Sequence, residues 1–436
     1  MRKINVSLLF TVVAACGGSD PITNPAPATP TLPPGIAVVL ESGDTSDPSV
    51  QSDFTQLVPE LGGVADARAA SSAAEKIVVR YRGKGRVGKR LTEYPQPVTG
   101  ERAVPPEDGK TLSFTAFNLA THNEFEVQFP RAMLHQLHET AVASGLNREA
   151  RLVPTASTPA GAPERGADAW SDYVDNRARF YGVNAPVTAW ERQRVSDFGG
   201  CTVTLIGPRH VITAAHCMYD PTKADPWTDD VSIRVARNGT SWLDSVLIDN
   251  DNIPAGQVLW YWVPSGYINS QDTQYDIGLI VTPKRIGETT GGWMGWWVLD
   301  ATTLAGQALW NVGYPGCVTT TADGTPRIDE PNPCSENHLY GDVGTCSPAN
   351  YSNLDADGWS RNFRHRCDAS GGQSGSPIYL NYNGTGWGVT GVHTTSLCGA
   401  TASDTCSATD AVRPLRATRI TPEYSGWISY FRNLYP

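Results

Sequence analysis

Short apolar stretches, some of them alternating with polar residues as at 112–117, recur along this chain and are typical of β-strands. Eight such stretches predict strands at residues 76–81, 112–117, 201–206, 210–213, 231–236, 245–249, 258–263 and 277–282. Turn residues such as Gly, Pro, Asn and Asp separate many of them. Many short strands joined by turns indicate a β-sandwich or a β-barrel.

Two other stretches repeat their apolar residues at helical spacing. The first has one apolar face, made of Met133, Leu134, Leu137 and Ala141, and Gly145 is suited to end that helix. The second closes the chain with an apolar face made of Trp427, Ile428, Phe431 and Leu434. Thr421 can cap this helix, Pro422 suits its first position, and Glu423 suits its positive end. We predict that this C-terminal helix packs on the β-domain.

The first 16 residues have the pattern of an export signal. Arg2 and Lys3 give a positive start, an apolar run covers residues 8–15, and Cys16 follows two alanines. This ending resembles a bacterial lipobox, in which the cysteine is lipidated. The alternative is an ordinary cleaved signal with a chance cysteine. We therefore expect an exported protein, either an outer-membrane or cell-surface lipoprotein or one that is secreted after processing.

Composition divides the rest of the chain into three parts. Residues 17–65 contain a Pro-rich stretch and predict a disordered tether. Residues 66–168 predict a small α+β region without a catalytic motif, either a propeptide or a permanent accessory domain. Its last part, residues 156–168, is rich in Pro, Ala and Gly and is the expected processing boundary. Residues 169–436 form the remaining domain.

The charge balance excludes one class of partner. The chain of 436 residues has a formal charge of −10, which argues against nucleic-acid binding, and we interpret the basic run at 80–90 as a solvated face. Beyond the N-terminus no apolar run is long enough to span a membrane. We expect a monomer.

Eight of the nine cysteines lie between Cys201 and Cys406. An even set in one region predicts disulfides and an oxidising compartment, although free or metal-binding thiols are the alternative. No C-x-x-C pair occurs, so we expect no zinc site and no other metal. Cys201 and Cys217 lie at the two ends of a predicted hairpin and can bridge. Sequence proximity favours three further pairs among fifteen possible pairings of the other six: Cys317–Cys334, Cys346–Cys367 and Cys398–Cys406.

A run of small residues at 371–377 surrounds Ser374. Glycines allow a tight turn that a substrate backbone can approach, and their N–H groups can point at one position. A nucleophilic serine with an oxyanion hole needs both features. The alternative is an ordinary surface loop, because Gly and Ser are common in loops.

Three segments together resemble the chymotrypsin-fold serine peptidases: Thr-Ala-Ala-His-Cys at 213–217, Tyr-Asp-Ile-Gly-Leu at 275–279 and Gly-Gln-Ser-Gly at 372–375. The chain order of His, Asp and Ser is the order of that family. The resemblance covers roughly residues 170–436 and implies an all-β fold of two six-stranded antiparallel β-barrels with a C-terminal helix. It implies that Ser374 is the nucleophile, His216 the base and Asp276 the residue that orients it. The oxyanion hole would be formed by the N–H groups of Gly372 and Ser374.

Gln373 departs from the animal digestive enzymes of the family, which have an aspartate before the nucleophile that pairs with the new N-terminus. The segments 371–377, 207–213, 313–316 and 292–295 are more similar to the bacterial glutamyl endopeptidase branch. That likeness implies a pocket in which His393, Thr394 and Ser396 bind a Glu side chain, although His393 can instead be a buried structural histidine. Asp368, six residues before the nucleophile, leaves cleavage after Lys or Arg as the alternative.

These observations predict an exported serine endopeptidase that needs no cofactor. Its partners would be protein or peptide substrates and its own propeptide. The rival class is a catalytically silent, surface-anchored binding protein on the same scaffold. Intact residues at all three triad positions, His216, Asp276 and Ser374, favour the enzyme.

Overall fold

Short β-strands dominate the fold, as the alternating apolar pattern predicts. The computed structural model describes residues 36–42, 46–57, 75–89, 109–151, 178–179, 190–249, 253, 259–318, 334–342, 345–349, 361–395 and 415–436. The predicted export signal with Cys16 and the predicted processing segment at 156–168 lie outside these residues. Among the described helices, none is long and apolar enough to cross a bilayer.

The N-terminal part of the chain forms eight elements: β1 (Ile36–Ser42), α1 (Pro48–Leu57), β2 (Glu75–Lys84), β3 (Val87–Lys89), β4 (Thr111–Asn118), β5 (Asn123–Pro130), α2 (Arg131–Ser144) and β6 (Ala150–Arg151). The next elements are β7 (Ala178–Arg179), β8 (Val195–Asp197), β9 (Thr202–Leu205), β10 (His210–Thr213), β11 (Trp227–Asp229), β12 (Val231–Val235), β13 (Asp244–Ile248), β14 (Trp260–Pro264), α3 (Ser265–Ser270), β15 (Gly278–Val281) and α4 (Ile286–Thr289). The last are β16 (Gly292–Trp293), β17 (Gly295–Trp296), α5 (Ala301–Ala305), β18 (Trp310–Gly313), β19 (Tyr340–Gly341), β20 (Pro348–Ala349), β21 (Asn362–His365), β22 (Pro377–Asn381), β23 (Trp387–Thr395), β24 (Leu415–Arg419) and α6 (Pro422–Leu434).

Two large sheets carry most of the strands. The first has eleven strands in the order β1-β2-β5-β4-β14-β15-β10-β9-β8-β12-β13. The second has nine, in the order β20-β21-β24-β23-β22-β18-β19-β7, with β17 pairing to β23. The all-β prediction with a C-terminal helix is confirmed. Closure into two six-stranded barrels stays a prediction, because the pairings describe two open sheets.

The N-terminal strands are continuous with the first sheet. Strand β4 pairs antiparallel with β14 from Trp260↔Asn118 to Pro264↔Phe114. Two smaller pairings join the same two parts of the chain, β3 with β11 and β6 with β16. The described part of the α+β region predicted at 66–168 therefore consists of strands and one helix. Through β4 its strands extend the sheet that also contains β14 of residues 169–436.

The predicted tether at 17–65 is too long and is corrected at its C-terminal end. Strand β1 pairs in parallel with β2, and helix α1 follows it. The helix buries Val50, Phe54 and Leu57, which recur at helical spacing. The Pro-rich composition of the preceding stretch concealed this pattern, and burial of the three side chains supplies the stabilisation that a tether lacks.

Both predicted helices are present. Helix α2 buries the four predicted apolar residues and ends at Gly145, whose φ of 73° lies in the left-handed region that glycine adopts without strain. In α6 the Thr421 side chain accepts a hydrogen bond from the Tyr424 N–H, and Pro422 occupies the first turn, as predicted. The helix is buried along most of its length and packs against α2 as well as the β-domain.

Candidate active site

The His216 segment is held by a hairpin and a disulfide. Strands β9 and β10 pair antiparallel, and a short 3₁₀ turn at Ala215–Cys217 carries the histidine directly after β10. Cys217 at the end of that turn is bonded to Cys201, just before β9. The disulfide and the strand pairing together fix the backbone on both sides of His216, which is buried.

Asp276 lies against His216 because their strands are neighbours. Strand β15 begins two residues after the aspartate and pairs with β10, with Gly278 opposite Thr213. The His216 Nδ1 atom is 2.7 Å from Asp276 Oδ2, and the His216 backbone N–H donates to Asp276 Oδ1 at 3.0 Å. Because a carboxylate only accepts, Nδ1 carries the proton in this contact. The lone pair of the neutral ring is then on Nε2, the atom that a general base uses.

The His216 Nε2 atom is buried and forms no hydrogen bond with any described residue. The loop that carries Ser374 packs against the hairpin that carries this histidine. The Ser374 carbonyl oxygen accepts from the Thr202 N–H at 2.7 Å and lies 3.6 Å from Cys217 Sγ. The structure therefore brings the three predicted catalytic residues to one place, without a direct bond between Nε2 and the serine hydroxyl.

Gly375 shows why this loop needs a glycine after the serine. Its φ is 88°, and a Cβ there would overlap the Thr202 carbonyl oxygen and the Thr213 hydroxyl. Any larger residue would push the Ser374 loop away from the hairpin that carries His216. The small-residue pattern in the sequence is thus explained by close backbone packing as well as by substrate access.

Backbone N–H groups that have a hydrogen-bond acceptor among the described residues alternate along the Ser374 loop with N–H groups that have none. Gln373 donates to the Ser370 carbonyl at 3.1 Å, and Gly375 donates to the His393 carbonyl at 2.8 Å. The N–H groups of Gly372 and Ser374 have no acceptor among the described residues. Gly372 has a φ of 90° and is enclosed by Tyr314 and Gly316. Two free backbone donors, one on each side of Gln373 in a turn held by hydrogen bonds, are what an oxyanion hole requires.

Gln373 is held by internal partners. Its side-chain oxygen accepts from the Ser370 N–H at 3.2 Å, and its amide nitrogen is 3.4 Å from Asn311 Oδ1. Asn311 also donates to the Ser376 hydroxyl at 2.7 Å. The residue before Ser374 is therefore neutral, buried and hydrogen-bonded without a new N-terminus. The sequence did not identify Asn311, which is distant in the chain and belongs to no motif.

His393 is paired with a second histidine that the sequence analysis missed. His393 on β23 lies opposite Ala417 of β24, and His365 on β21 lies opposite Leu415, two residues earlier in the same strand. The His365 Nε2 and His393 Nδ1 atoms are 3.2 Å apart, and both rings are buried. Burial lowers the pKa of His365 to about 3, so this ring is neutral near pH 7. The one available signal was its position in the stretch leading to Cys367.

His393 also borders the nucleophile loop, because its N–H donates to the Ser376 carbonyl at 2.9 Å. The other predicted pocket residues differ in their placement. The Thr394 hydroxyl donates to the Arg416 carbonyl at 3.3 Å. Asp368 is buried, and its N–H donates to Asp342 Oδ1 at 2.9 Å. Ser396 lies outside the described residues.

Three of the predicted disulfides are present, and the pairing favoured by sequence proximity is confirmed for them: Cys201–Cys217, Cys317–Cys334 and Cys346–Cys367. The fourth, Cys398–Cys406, lies outside the described residues. Within the described residues, two of three groupings of possible metal ligands include cysteines of these bridges. A bridged cysteine has no thiolate to offer, so these two groupings do not fit a metal ion.

Comparison with known proteins identifies relatives of this arrangement. The family model described as Trypsin matches residues 180–428. A glutamyl endopeptidase of Bacillus licheniformis is 29% identical over 244 residues, which are 55% of this chain and 61% of that protein. A Bacillus subtilis protein named extracellular metalloprotease is 29% identical over 198 residues, 45% of this chain and 50% of that protein. The chain thus spans between half and about three fifths of the length of these curated relatives.

Solved structures give matches of the same kind. A Glu endopeptidase solved in complex with MPD has a TM-score of 0.42 and 22% identity, covering 59% of this chain and 97% of that one. A thermostable serine protease from an extremophilic microorganism has a TM-score of 0.37 and 14% identity, covering 56% of this chain and 99% of that one.

Proposed function

The chain belongs to the trypsin family of serine proteases, and from that premise we propose that it is an exported endopeptidase that cleaves peptide bonds after Glu through Ser374, His216 and Asp276. The observation that carries the proposal is the contact of 2.7 Å between His216 Nδ1 and Asp276 Oδ2 beside the Ser374 loop. It fixes the imidazole in the one tautomer that can accept a proton from the serine.

The catalytic steps follow from these positions. The Ser374 hydroxyl attacks the substrate carbonyl carbon while its proton moves to His216 Nε2. The tetrahedral intermediate collapses when His216 gives that proton to the leaving amine, and an acyl-enzyme remains on Ser374. Water then attacks the ester with His216 again as base, and the second tetrahedral intermediate releases the new carboxylic acid as His216 returns the proton to Ser374 Oγ. Asp276 stabilises the charged imidazole during both halves of the reaction.

The oxyanion of each tetrahedral intermediate would lie at the N–H groups of Gly372 and Ser374. Both donors are free among the described residues, and the turn that presents them is fixed by neighbouring hydrogen bonds. Such preorganised donors typically contribute roughly 10²–10³ in rate each. The internal partners of Gln373 support a hole that forms without the pairing of a new N-terminus.

The histidine pair supports a preference for an acidic side chain before the cut. Neutral His365 can donate or accept through Nε2, so the pair has three arrangements. If His365 donates, neutral His393 carries its proton on Nε2, and if His393 is charged it donates through Nδ1 and still carries a proton on Nε2. In the third arrangement neutral His393 donates through Nδ1, and its Nε2 carries no proton. A substrate carboxylate favours the first two arrangements, in which His393 presents an N–H and, when charged, a positive charge.

The name of the Bacillus licheniformis relative, a glutamyl endopeptidase, agrees with this assignment. Thr394 and Ser396 are proposed as additional donors in the pocket. Asp368 is the residue that would favour the alternative, cleavage after Lys or Arg. Its backbone N–H donates to the carboxylate of a second acidic residue, Asp342, and negative charge in this region would suit a basic side chain better than an acidic one.

Cleavage of a peptide library by the purified protease is expected to show cuts after Glu. His393→Phe should lower kcat/KM for a Glu substrate by roughly 10- to 100-fold, because one hydrogen bond to a charged group is lost. The isosteric Gln substrate serves as the internal control, and its cleavage should change little. Cuts after Lys or Arg in the wild-type profile would refute a pocket that binds Glu. They would indicate that Asp368 binds the basic side chain of the substrate.

Anchoring through Cys16 is proposed from the lipobox resemblance. Replacing Cys16 by serine is expected to move the protein from the membrane fraction to the soluble fraction, because one lipidated cysteine provides the acyl chains of the anchor. Fractionation followed by immunoblotting measures this change. Identical fractionation of the variant and the wild-type protein would instead indicate an ordinary cleaved signal.

A further inference from the structure

We propose that residues 36–151 are a permanent structural part of the mature protease, so that cleavage between this region and residue 178 leaves a two-chain enzyme whose parts stay bound. The partner surface on the protease is formed by strand β14 and helix α6. The occupant is the chain's own N-terminal region, and the inference does not depend on substrate preference.

The first argument is the continuity of the sheet. Strand β14 lies between β4 and β15, and its residues Trp260, Tyr261 and Trp262 are all fully buried. Without β4, β14 would become an edge strand with unpaired backbone groups and a row of aromatic side chains near the surface. Exposed, apolar sheet edges promote aggregation, so loss of this region would leave a surface unlike that of a stable secreted enzyme.

Aromatic packing joins the same two parts of the chain. Phe114 on β4 stacks on Trp427 of α6 with ring centroids 4.5 Å apart, and Phe117 stacks on Trp227 at 4.6 Å. Phe129 on β5 packs edge-on against Tyr430 of α6 at 5.2 Å. All six rings are buried, so each contact removes two apolar surfaces from water.

Charged and polar groups on α2 are satisfied by α6. Arg131 Nη1 lies 2.9 Å from Glu423 Oε1, and His135 Nε2 lies 3.2 Å from the same oxygen. His138 Nδ1 is 2.9 Å from the Ser425 hydroxyl. Burial alone would raise the pKa of Glu423, but hydrogen bonds from His135 and Thr421 and the charge of Arg131 lower it to about 2. Departure of α2 would leave this carboxylate without two of its partners.

Gly426 lies at a close contact between α6 and α2. It lies inside α6, where glycine is less favourable for helix formation than alanine by about fivefold. A Cβ at this position would overlap the Leu134 carbonyl oxygen of α2. Glycine therefore permits the close contact between α6 and α2. If α2 left the mature enzyme, alanine would be the more favourable residue at this position.

Helix α1 adds a further contact at the end of α6. The Tyr430 hydroxyl donates to the Leu57 carbonyl at 3.1 Å, and the Tyr435 hydroxyl donates to the Gln56 carbonyl at 2.6 Å. In contrast, the hydrogen bonds of His216, Asp276 and Ser374 within the described residues are made with residues 169–436 alone. Retention of residues 36–151 is therefore compatible with the catalytic arrangement.

The direct test is a nicked enzyme. A recognition sequence for a site-specific protease is inserted within residues 156–168 of the full chain, in a Ser374→Ala background that prevents self-digestion. After cleavage, both pieces are expected to elute together in size-exclusion chromatography at micromolar concentration and to separate only in denaturant. Separate elution under native conditions overturns the proposal, whatever the state of the C-terminal piece.

Gly426→Ala gives an independent test, because the direction in which it changes the Tm of the nicked protein depends on whether α2 stays docked. If α2 stays docked, the new methyl group must displace it, and Tm should fall by about 5 °C or more. If α6 is free of α2, alanine strengthens the helix and Tm should rise by about 2–4 °C. Asn433→Ala, a partly buried position in the same helix, is the matched control and should not lower Tm. A rise for Gly426→Ala contradicts retention even if the nicked pieces co-elute.

Discussion

Replacing Ser374 by alanine is expected to lower kcat for a peptide substrate by on the order of 10⁶-fold, the loss typical of removing the nucleophile from a serine protease triad. Without the hydroxyl no acyl-enzyme forms, and water must attack the peptide directly. Binding and the two oxyanion donors remain, so a residual rate above the uncatalysed reaction is expected. A fluorophosphonate probe, which bonds to an activated serine, should label the wild-type protein and leave the variant unlabelled.

Ser376→Ala is the matched control for this experiment. Ser376 is in the same loop and is also buried, but its hydroxyl is paired with Asn311 and not with the base. Its removal should keep kcat within about tenfold, the effect of one lost hydrogen bond. Labelling that persists in Ser374→Ala would place the nucleophile elsewhere. Failure of the processed wild-type protein to label would favour the silent binding protein.

The candidate triad could be predicted from the sequence because each of its residues lies in a local pattern. His216 follows a strand and precedes a cysteine, and Asp276 precedes an apolar strand. Ser374 lies between Gly372 and Gly375, whose positive φ values are rarely adopted by residues that have a side chain. These features depend on near neighbours in the chain. The structure places His216 against Asp276 and the Ser374 loop against the hairpin that carries His216, while their catalytic roles stay predictions.

The features that were missed depend on contacts between distant residues. His365 is recognisable as the partner of His393 only once β21 and β23 are known to flank β24. The addition of β4 to β14 joins residues about 150 positions apart, and no periodicity within either strand specifies that pairing. Helix α1 was hidden for another reason, since its three buried residues follow a Pro-rich stretch whose composition predicts a tether.

Gly426 illustrates how a residue can be misleading by itself and informative in context. A glycine inside the C-terminal helix weakens the helix prediction on propensity alone. The structure explains it by the close approach of the Leu134 carbonyl. The same position then reports on whether the N-terminal region stays bound, so a local exception to helix propensity indicates a long-range contact.

Asp276→Asn is expected to lower kcat by about 10⁴-fold while the protein stays folded. The asparagine oxygen can still accept the His216 backbone N–H, which is now 3.0 Å from Oδ1. Its amide group, however, would face Nδ1 where Oδ2 now lies at 2.7 Å. An N–H donor there requires the lone pair of the ring on Nδ1, so the proton moves to Nε2 and the imidazole can no longer accept from Ser374. The expected signature is a large loss in kcat, with little change in Tm and proportionally slow fluorophosphonate labelling.

Asp272→Asn is the control, because Asp272 caps the turn before Asp276 by accepting from the Gln274 N–H, and its loss should cost less than tenfold in rate. A loss below tenfold in Asp276→Asn would mean that the histidine is oriented by some other group, and the catalytic role proposed for the carboxylate would be wrong.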